Sequence, residues 1–385
     1  MTATALIGAT LLLPSGPARG QAVVIEHGRI AAVTAADALP PEAMVEDLAG
    51  GWLLPGFIDT QVNGGGDRLF NDAPSVETIR AIAAAHRRFG TTGLLPTLIS
   101  DDVGVIEAAI TAVEAAIAAG VPGVLGIHIE GPHLNPAKRG IHDATKFTAL
   151  DPAMIARLCA PSRGVRLVTL APELAPPGAI RTLSDHGVIV AAGHSMASYA
   201  ETRAALDQGL AGFTHLFNAM TQLGSREPGM VGAALEDRRS RFGLIVDGWH
   251  VHPASLRVAL AARGIDGAML VTDAMPVVGG ARPSFSLGGR EITTVDGACR
   301  DAQGTLAGSA LSMAQAVRNA VGLLGCTLTE GSRMASANPA AFLGLDRHTG
   351  AIAVGYQADL VQLDQDLRVR RSWIAGDASN TGDGA

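Results

Sequence analysis

The chain has 385 residues, 48% hydrophobic and 17% charged, with a formal net charge of -7, enough for one barrel-sized domain plus a smaller one. Mild acidity with no Arg/Lys run gives no electrostatic basis for nucleic acid or an anionic membrane as partner, and no stretch approaches the roughly 20 apolar residues of a membrane span. Cys159, Cys299 and Cys326, odd in number and widely spaced, read as reduced, space-filling thiols of a cytoplasmic protein.

Residues 3–14 are apolar but lack the basic region and small-residue cleavage site of a signal peptide. Over residues 4–50 the sequence predicts short strands at 5–13, 22–25 and 29–33, with His27 in a solvated turn before Gly28. After Pro55 the pattern changes: eight apolar runs, at 56–59, 93–98, 124–130, 165–170, 188–191, 212–216, 242–246 and 269–273, alternate with helical stretches. Near-continuous hydrophobic strands followed by helices imply a covered parallel sheet, and eight of them predict an α/β fold, a (β/α)8 TIM-like barrel.

The helical stretches carry their own signals. Residues 102–119 place Ile106, Ile110, Val113 and Ile117 at helical spacing before Gly120. Residues 75–89 repeat the pattern with Val76, Ile79 and Ile82 inward, and His86 in the last turn reads as complementing the helix dipole. Ser198 and Glu201 form a capping box. Residues 283–305 read as a β insertion, after which Gly308-Ser309 is expected to cap a helix reaching Val321.

Strand-like sequence returns at 350–374, so both chain ends are expected to form one small flanking β-sandwich. The expected division is residues 1–54 and 346–385 for the small β domain and 55–345 for the barrel, with its insertion near 281–305. Residues 375–385 have no core-forming side chains and read as frayed.

Barrel enzymes place their chemistry where strands end. Just past the apolar runs stand Asp59, Gln61 and Asn63, then Glu130, His194, His215, Asp247 with His250, and Asp273. A carboxylate ending an apolar strand is costly to bury unless paired or bound to metal. Two histidines and a carboxylate hold a zinc-like cation with a coordination position open, which selects Glu130, His194 and His215. Asp273 then fits a general base. A lone histidine at a strand end is more often a hydrogen-bonded core residue; polar groups at four strand ends together favour chemistry. His128 reads as lying behind the site, His133 as a loop contact, and His186 and His348 as surface residues.

The segments Gly56-Phe-Ile-Asp59, Gly126-Ile-His-Ile-Glu-Gly-Pro132, Gly193-His-Ser195, Thr214-His-Leu-Phe-Asn-Ala-Met220, Asp247-Gly-Trp-His250, Val271-Thr-Asp-Ala274 and Leu306-Ala-Gly-Ser309 occur in order. Together they resemble the N-acetylglucosamine-6-phosphate deacetylases of the amidohydrolase superfamily over nearly the whole chain. The resemblance implies a metal-dependent hydrolase that removes acetate from a phosphorylated amino sugar. It makes Glu130, His194 and His215 the ligands of one divalent metal per subunit, zinc, and Asp273 the acid/base.

His142 matches the histidine that polarises the acetyl carbonyl. Ile141, Asn218, Ala219, Arg226, His250, Leu306, Ala307 and Gly308 match substrate contacts, with Arg226 and His250 reaching phosphate across the interface of a homodimer. An arginine fork suits phosphate oxygens, and Lys138 and Arg139 could help draw an anion in.

Where many relatives carry His-x-His, this chain has Gln61-Val-Asn63. Amides are weak zinc ligands beside imidazole, so one tightly held metal is expected. Two alternatives stay open: the same chemistry on a cyclic amide or dipeptide, or a metal-free barrel serving as a binding module.

Overall fold

The computed structural model describes residues 3–379. Its central sheet runs in chain order through eight parallel strands: β1 (Phe57–Val62), β2 (Thr91–Ile99), β3 (Gly126–Glu130), β4 (Val165–Leu170), β5 (Ile189–Ala192), β6 (Gly212–Phe213), β7 (Arg241–Leu244) and β8 (Ala268–Leu270). A parallel bridge between Val62 and Ala274 brings the end of the series back to β1, giving the expected TIM-like barrel.

Strand ends are where expectation and structure part. β1 continues to Val62, so Asp59 and Gln61 lie within the strand rather than after it. β6 and β8 stop early, before His215 and Asp273. Those residues have φ of 33° and 52°, a left-handed backbone that no strand can continue through.

The helices start where polar side chains cap them. Ser75 accepts from Thr78 N to open Val76–Arg87, which buries Ile79 and Ile82. Val103–Ala118 buries Ile106 and Val113, while Ile110 and Ile117 are half-buried. The capping box at Ser198 and Glu201 opens Tyr199–Asp207.

Two expectations need correction here. Gly308 and Ser309 end an insertion strand, Leu306–Ser309, and the next helix, Met313–Leu324, is capped by Ser312. His86 is fully buried, with Nε2 2.9 Å from Gly64 O. Burial pulls its pKa down to about 4, so it sits neutral and braces the chain after β1 instead of serving the helix dipole.

Both chain ends share the flanking sheets. Trp52–Pro55 pairs antiparallel with Leu360–Leu363 inside a six-stranded sheet, and a four-stranded sheet of Thr4–Ile7, Gln21–Glu26, Arg29–Ala35 and Met44–Asp47 packs against it around Leu6, Ile30, Leu53 and Trp373. The single strand expected over 5–13 is two, Thr4–Ile7 and Thr10–Leu13, in different sheets. Gly8 makes the break at φ 83°, where a Cβ would meet Asp47 Oδ1 at 2.0 Å.

The tail is not frayed as far as Ser379: Asp377–Ala378 pairs with Trp373 and Ile374, and Ser379 N donates to Ser372 O at 2.7 Å. Residues 380–385 of that expectation lie outside the described residues. Among the described residues no helix is long and apolar enough to cross a membrane.

Candidate metal centre

Glu130 ends β3, and His194 and His215 each stand two residues past their strands, β5 and β6. Glu130 Oε1 lies 3.2 Å from His194 Nε2 and 3.0 Å from His215 Nε2, and the two nitrogens are 3.1 Å apart. All three side chains are buried, and among the described residues this is the group of three placed to share an ion.

The donor set fits a cation. His194 Nδ1 is 2.8 Å from Lys138 O, and a carbonyl can only accept, so in the neutral ring the proton sits on Nδ1 and Nε2 presents its lone pair. This is the orientation that metal-ligating histidines take. Ligand atoms of a tetrahedral zinc, about 2.0–2.2 Å from the ion, stand about 3.3–3.6 Å from one another, a few tenths of an ångström wider than the 3.0–3.2 Å seen. Burial pushes the Glu130 carboxyl up, but the two imidazoles beside it, His194 and His215, more than offset this and hold it well below the ordinary range. Burial opposes the His215 charge, yet the Glu130 bond raises its pKa.

The backbone under these side chains is strained. His194, His215 and Asp273 have φ of 49°, 33° and 52°, each costing on the order of 1–3 kcal/mol. Specific bonds hold them there. Asn135 N donates to His194 O at 2.9 Å, Asn218 N to His215 O at 3.0 Å, and Ser309 N to Asp273 O at 2.9 Å.

Around the cluster is a cavity of about 190 Å³ that also reaches Asp273, His142 and His250. Burial pushes the Asp273 carboxyl up to about 6, with the Glu130 charge acting in the same direction. Asn63 Nδ2 donates to its Oδ1 at 2.6 Å and Gln61 Nε2 to the same oxygen at 3.1 Å; Gln61 Nε2 is also 3.1 Å from Glu130 Oε2.

His142 lies against the His194 ring, centroids 4.4 Å apart. Burial first, with the neighbouring His194 imidazole acting in the same direction, pulls its pKa down to about 3. Its Nδ1 accepts from Ser100, whose N is 3.4 Å and Oγ 2.8 Å away, which leaves the ring proton on Nε2. His250 donates Nδ1–H to Asp247 Oδ2 at 2.6 Å, and Asp247 also accepts from Trp249 N and His250 N.

Of the expected substrate contacts, Ile141, Asn218, Ala219, His250, Leu306 and Gly308 line this cavity. Two do not. Ala307 is buried in a cluster shared by the insertion and the barrel, with Ile99, Met275, Leu287 and Ile292, and Arg226 is exposed and does not line the cavity of its own chain. His128 is buried against Thr97 and Thr169, and His133 bonds Thr148 O. Sequence reasoning missed Ile99, Met275 and Thr305 in the wall. Only their places at the end of β2, after β8 and in the insertion could have flagged them, because nothing in their chemistry separates them from core or turn.

Comparison with known proteins places this architecture. The model of the Amidohydrolase family matches residues 52–381. The chain is 46% identical over 330 residues to the N-acetylgalactosamine-6-phosphate deacetylase of Shewanella sp. (strain ANA-3), covering 86% of this chain and 84% of that one. Its fold superposes on the crystal structure of N-acetylglucosamine-6-phosphate deacetylase from Pasteurella multocida with a TM-score of 0.95 at 33% identity, over 98% and 99% of the two chains. A mutant N-acetyl-D-glucosamine-6-phosphate deacetylase from Mycobacterium smegmatis, in complex with N-acetyl-D-glucosamine-6-phosphate, matches with a TM-score of 0.90 at 36% identity, over 98% and 99%. With the family model spanning most of its length and a full-length fold match, the chain belongs to the amidohydrolase family, a metal-dependent superfamily of hydrolases.

Proposed function

We propose that this chain hydrolyses the acetamide of N-acetylglucosamine 6-phosphate to glucosamine 6-phosphate and acetate, a step of amino-sugar breakdown. The observation that carries the reading is the convergence of Glu130, His194 and His215 beside Asp273 in one cavity. The deacetylase relatives support it.

Glu130, His194 and His215 would hold one divalent cation, zinc, which when bound polarises the amide carbonyl and acidifies water. Asp273 takes the proton from the attacking water and returns it to the departing amine nitrogen. His142, neutral with its proton on Nε2, donates to the acetyl oxygen as negative charge builds there. Ile141, Asn218, Ala219 and the 306–308 turn hold the sugar. His250 lines the cavity of its own chain and binds the 6-phosphate from there, not across the interface as the resemblance implied, and in a homodimer Arg226 of the partner subunit joins it; the exposed position of Arg226 supports that division. The three free cysteines support a cytoplasmic location. Domain limits of 1–54 with 346–385, and 55–345, are part of the same reading.

A second reading concerns the sugar epimer. Identity is 46% and 41% to two N-acetylgalactosamine-6-phosphate deacetylases, against 37% to the bovine N-acetylglucosamine-6-phosphate deacetylase. The deciding experiment measures acetate release from both 6-phosphates and from both unphosphorylated sugars. A higher kcat/KM on the galactosamine compound moves the assignment to that epimer. Equal turnover without the phosphate overturns the phosphate assignment.

A further inference from the structure

The pairing of β1 with β2 shifts register between Asp59 and Val62, and Asp59, Gln61 and Asn63 all reach the segment that follows β8. Thr272 Oγ1 is 2.5 Å from Asp59 Oδ2, while Gln61 and Asn63 both donate to Asp273 Oδ1. Backbone bonds fix this register independently: Asp273 N donates to Gln61 O at 3.0 Å, and Asn63 N to Ala274 O at 2.9 Å. Closing the barrel therefore delivers two buried amides to the same carboxylate oxygen. Gln61 spans further, its Nε2 also reaching Glu130 Oε2.

An oxygen already accepting two N–H bonds has its lone pairs in use. Asp273 Oδ2 has no hydrogen-bond partner among the described residues. Two carboxylates share this wall of the cavity, and the donors between them take the place of a positive charge. Their N–H groups face the carboxylates, while the other end of the Asn63 amide, Oδ1, is buried without a hydrogen-bond partner among the described residues.

We propose that Gln61 and Asn63 are positioning residues for the proton-carrying step. They pin Asp273 by Oδ1, so that Oδ2 alone exchanges the proton with water and the leaving nitrogen, and they tie that carboxylate to the Glu130 ligand. The inference rests on the reading of Asp273 as the proton carrier.

The test substitutes near-isosteric apolar side chains, Asn63→Leu and Gln61→Met, in the metal-loaded enzyme. The readouts are kcat, KM, bound metal by elemental analysis, and the thermal midpoint. Each variant is expected to lose about 10–100-fold in kcat, with KM and bound metal at the parent values. Asn63→Gln, which keeps an amide N–H donor, is expected to recover part of the loss.

Parent-level kcat in both apolar variants, with Asp273→Asn inactive, overturns the positioning role and leaves the deacetylase reading standing. Full activity in Asp273→Asn overturns that reading instead. Loss of metal that accounts for all the lost turnover also overturns the proposal. Should Asn63→Leu not fold, Asn63→Ser and Asn63→Ala decide the point, since they differ by one hydroxyl donor: higher kcat in the serine variant supports the proposal, and equal kcat overturns it.

Discussion

Two corners of one cavity handle buried charge in opposite ways. At the ends of β3, β5 and β6, three acceptor atoms converge to 3.0–3.2 Å. At the end of β1, amide N–H groups converge on carboxylates at 2.6–3.1 Å. Converging lone pairs call for a cation, whereas converging donors are already satisfied by the anion they face. The backbones differ as well: His194 and His215 have positive φ, while Gln61 lies within β1, where the pairing with β2 shifts register. The contrast teaches that metal capacity depends on which end of a polar side chain faces in, and not on how many polar side chains are present.

The contrast can be broken from either side. Glu130→Gln removes the only negative group of the acceptor corner and should take bound metal from one ion per chain to nearly none, with turnover falling alongside; elemental analysis and acetate release read both. Asp273→Asn acts on the donor corner, and kcat should fall about 10²–10⁴-fold while bound metal stays at the parent level. Metal lost in that variant would show that the corners are not separable.

His250→Ala sharpens the picture at the rim. Losing a charge-assisted hydrogen bond to phosphate costs about 1.5–3 kcal/mol, so KM for the 6-phosphate should rise about 10–100-fold. The unphosphorylated sugar should be unaffected; an equal rise on both would place His250 elsewhere.

The smallest effect is on stability, through Asp59. Burial pushes its carboxyl from 3.8 up to about 7, against bonds from Thr272 and Gln61. A carboxyl with a raised folded pKa holds its proton more tightly when folded. Its contribution to stability is therefore complete below about pH 4 and is lost as pH rises through about 7. In Asp59→Asn the amide mimics the neutral acid at every pH, accepting from the backbone and donating to Thr272. That variant should flatten stability between pH 4 and pH 8 and gain on the order of 2–4 kcal/mol at the upper end, by denaturant titration. A parent-like pH slope in the variant would remove Asp59 as its source.

Most of the barrel was legible because strands buried on both faces must be apolar throughout, and caps such as Ser75 and Ser198 announce helices locally. The polar residues that follow those runs, Glu130, His194, His215 and Asp273, stood out against the same background. What could not be read was set by backbone conformation and by partners distant in sequence. Nothing in residues 214–216 announces that His215 leaves the ladder, and residues 5–13 look like one strand until Gly8 turns the chain into a second sheet. His86 sits where a dipole partner belongs, yet its bond is to Gly64 O, 22 residues away. Ile99 and Met275 are ordinary core residues by type, and only the fold turns them toward the cavity.

Anomalous diffraction recorded at the metal absorption edge tests the central claim most directly. One peak bonded to Glu130 Oε1, His194 Nε2 and His215 Nε2, with none beside Gln61 and Asn63, is the result expected. A peak of comparable height at the amide corner, or no peak among the three acceptors, would contradict it.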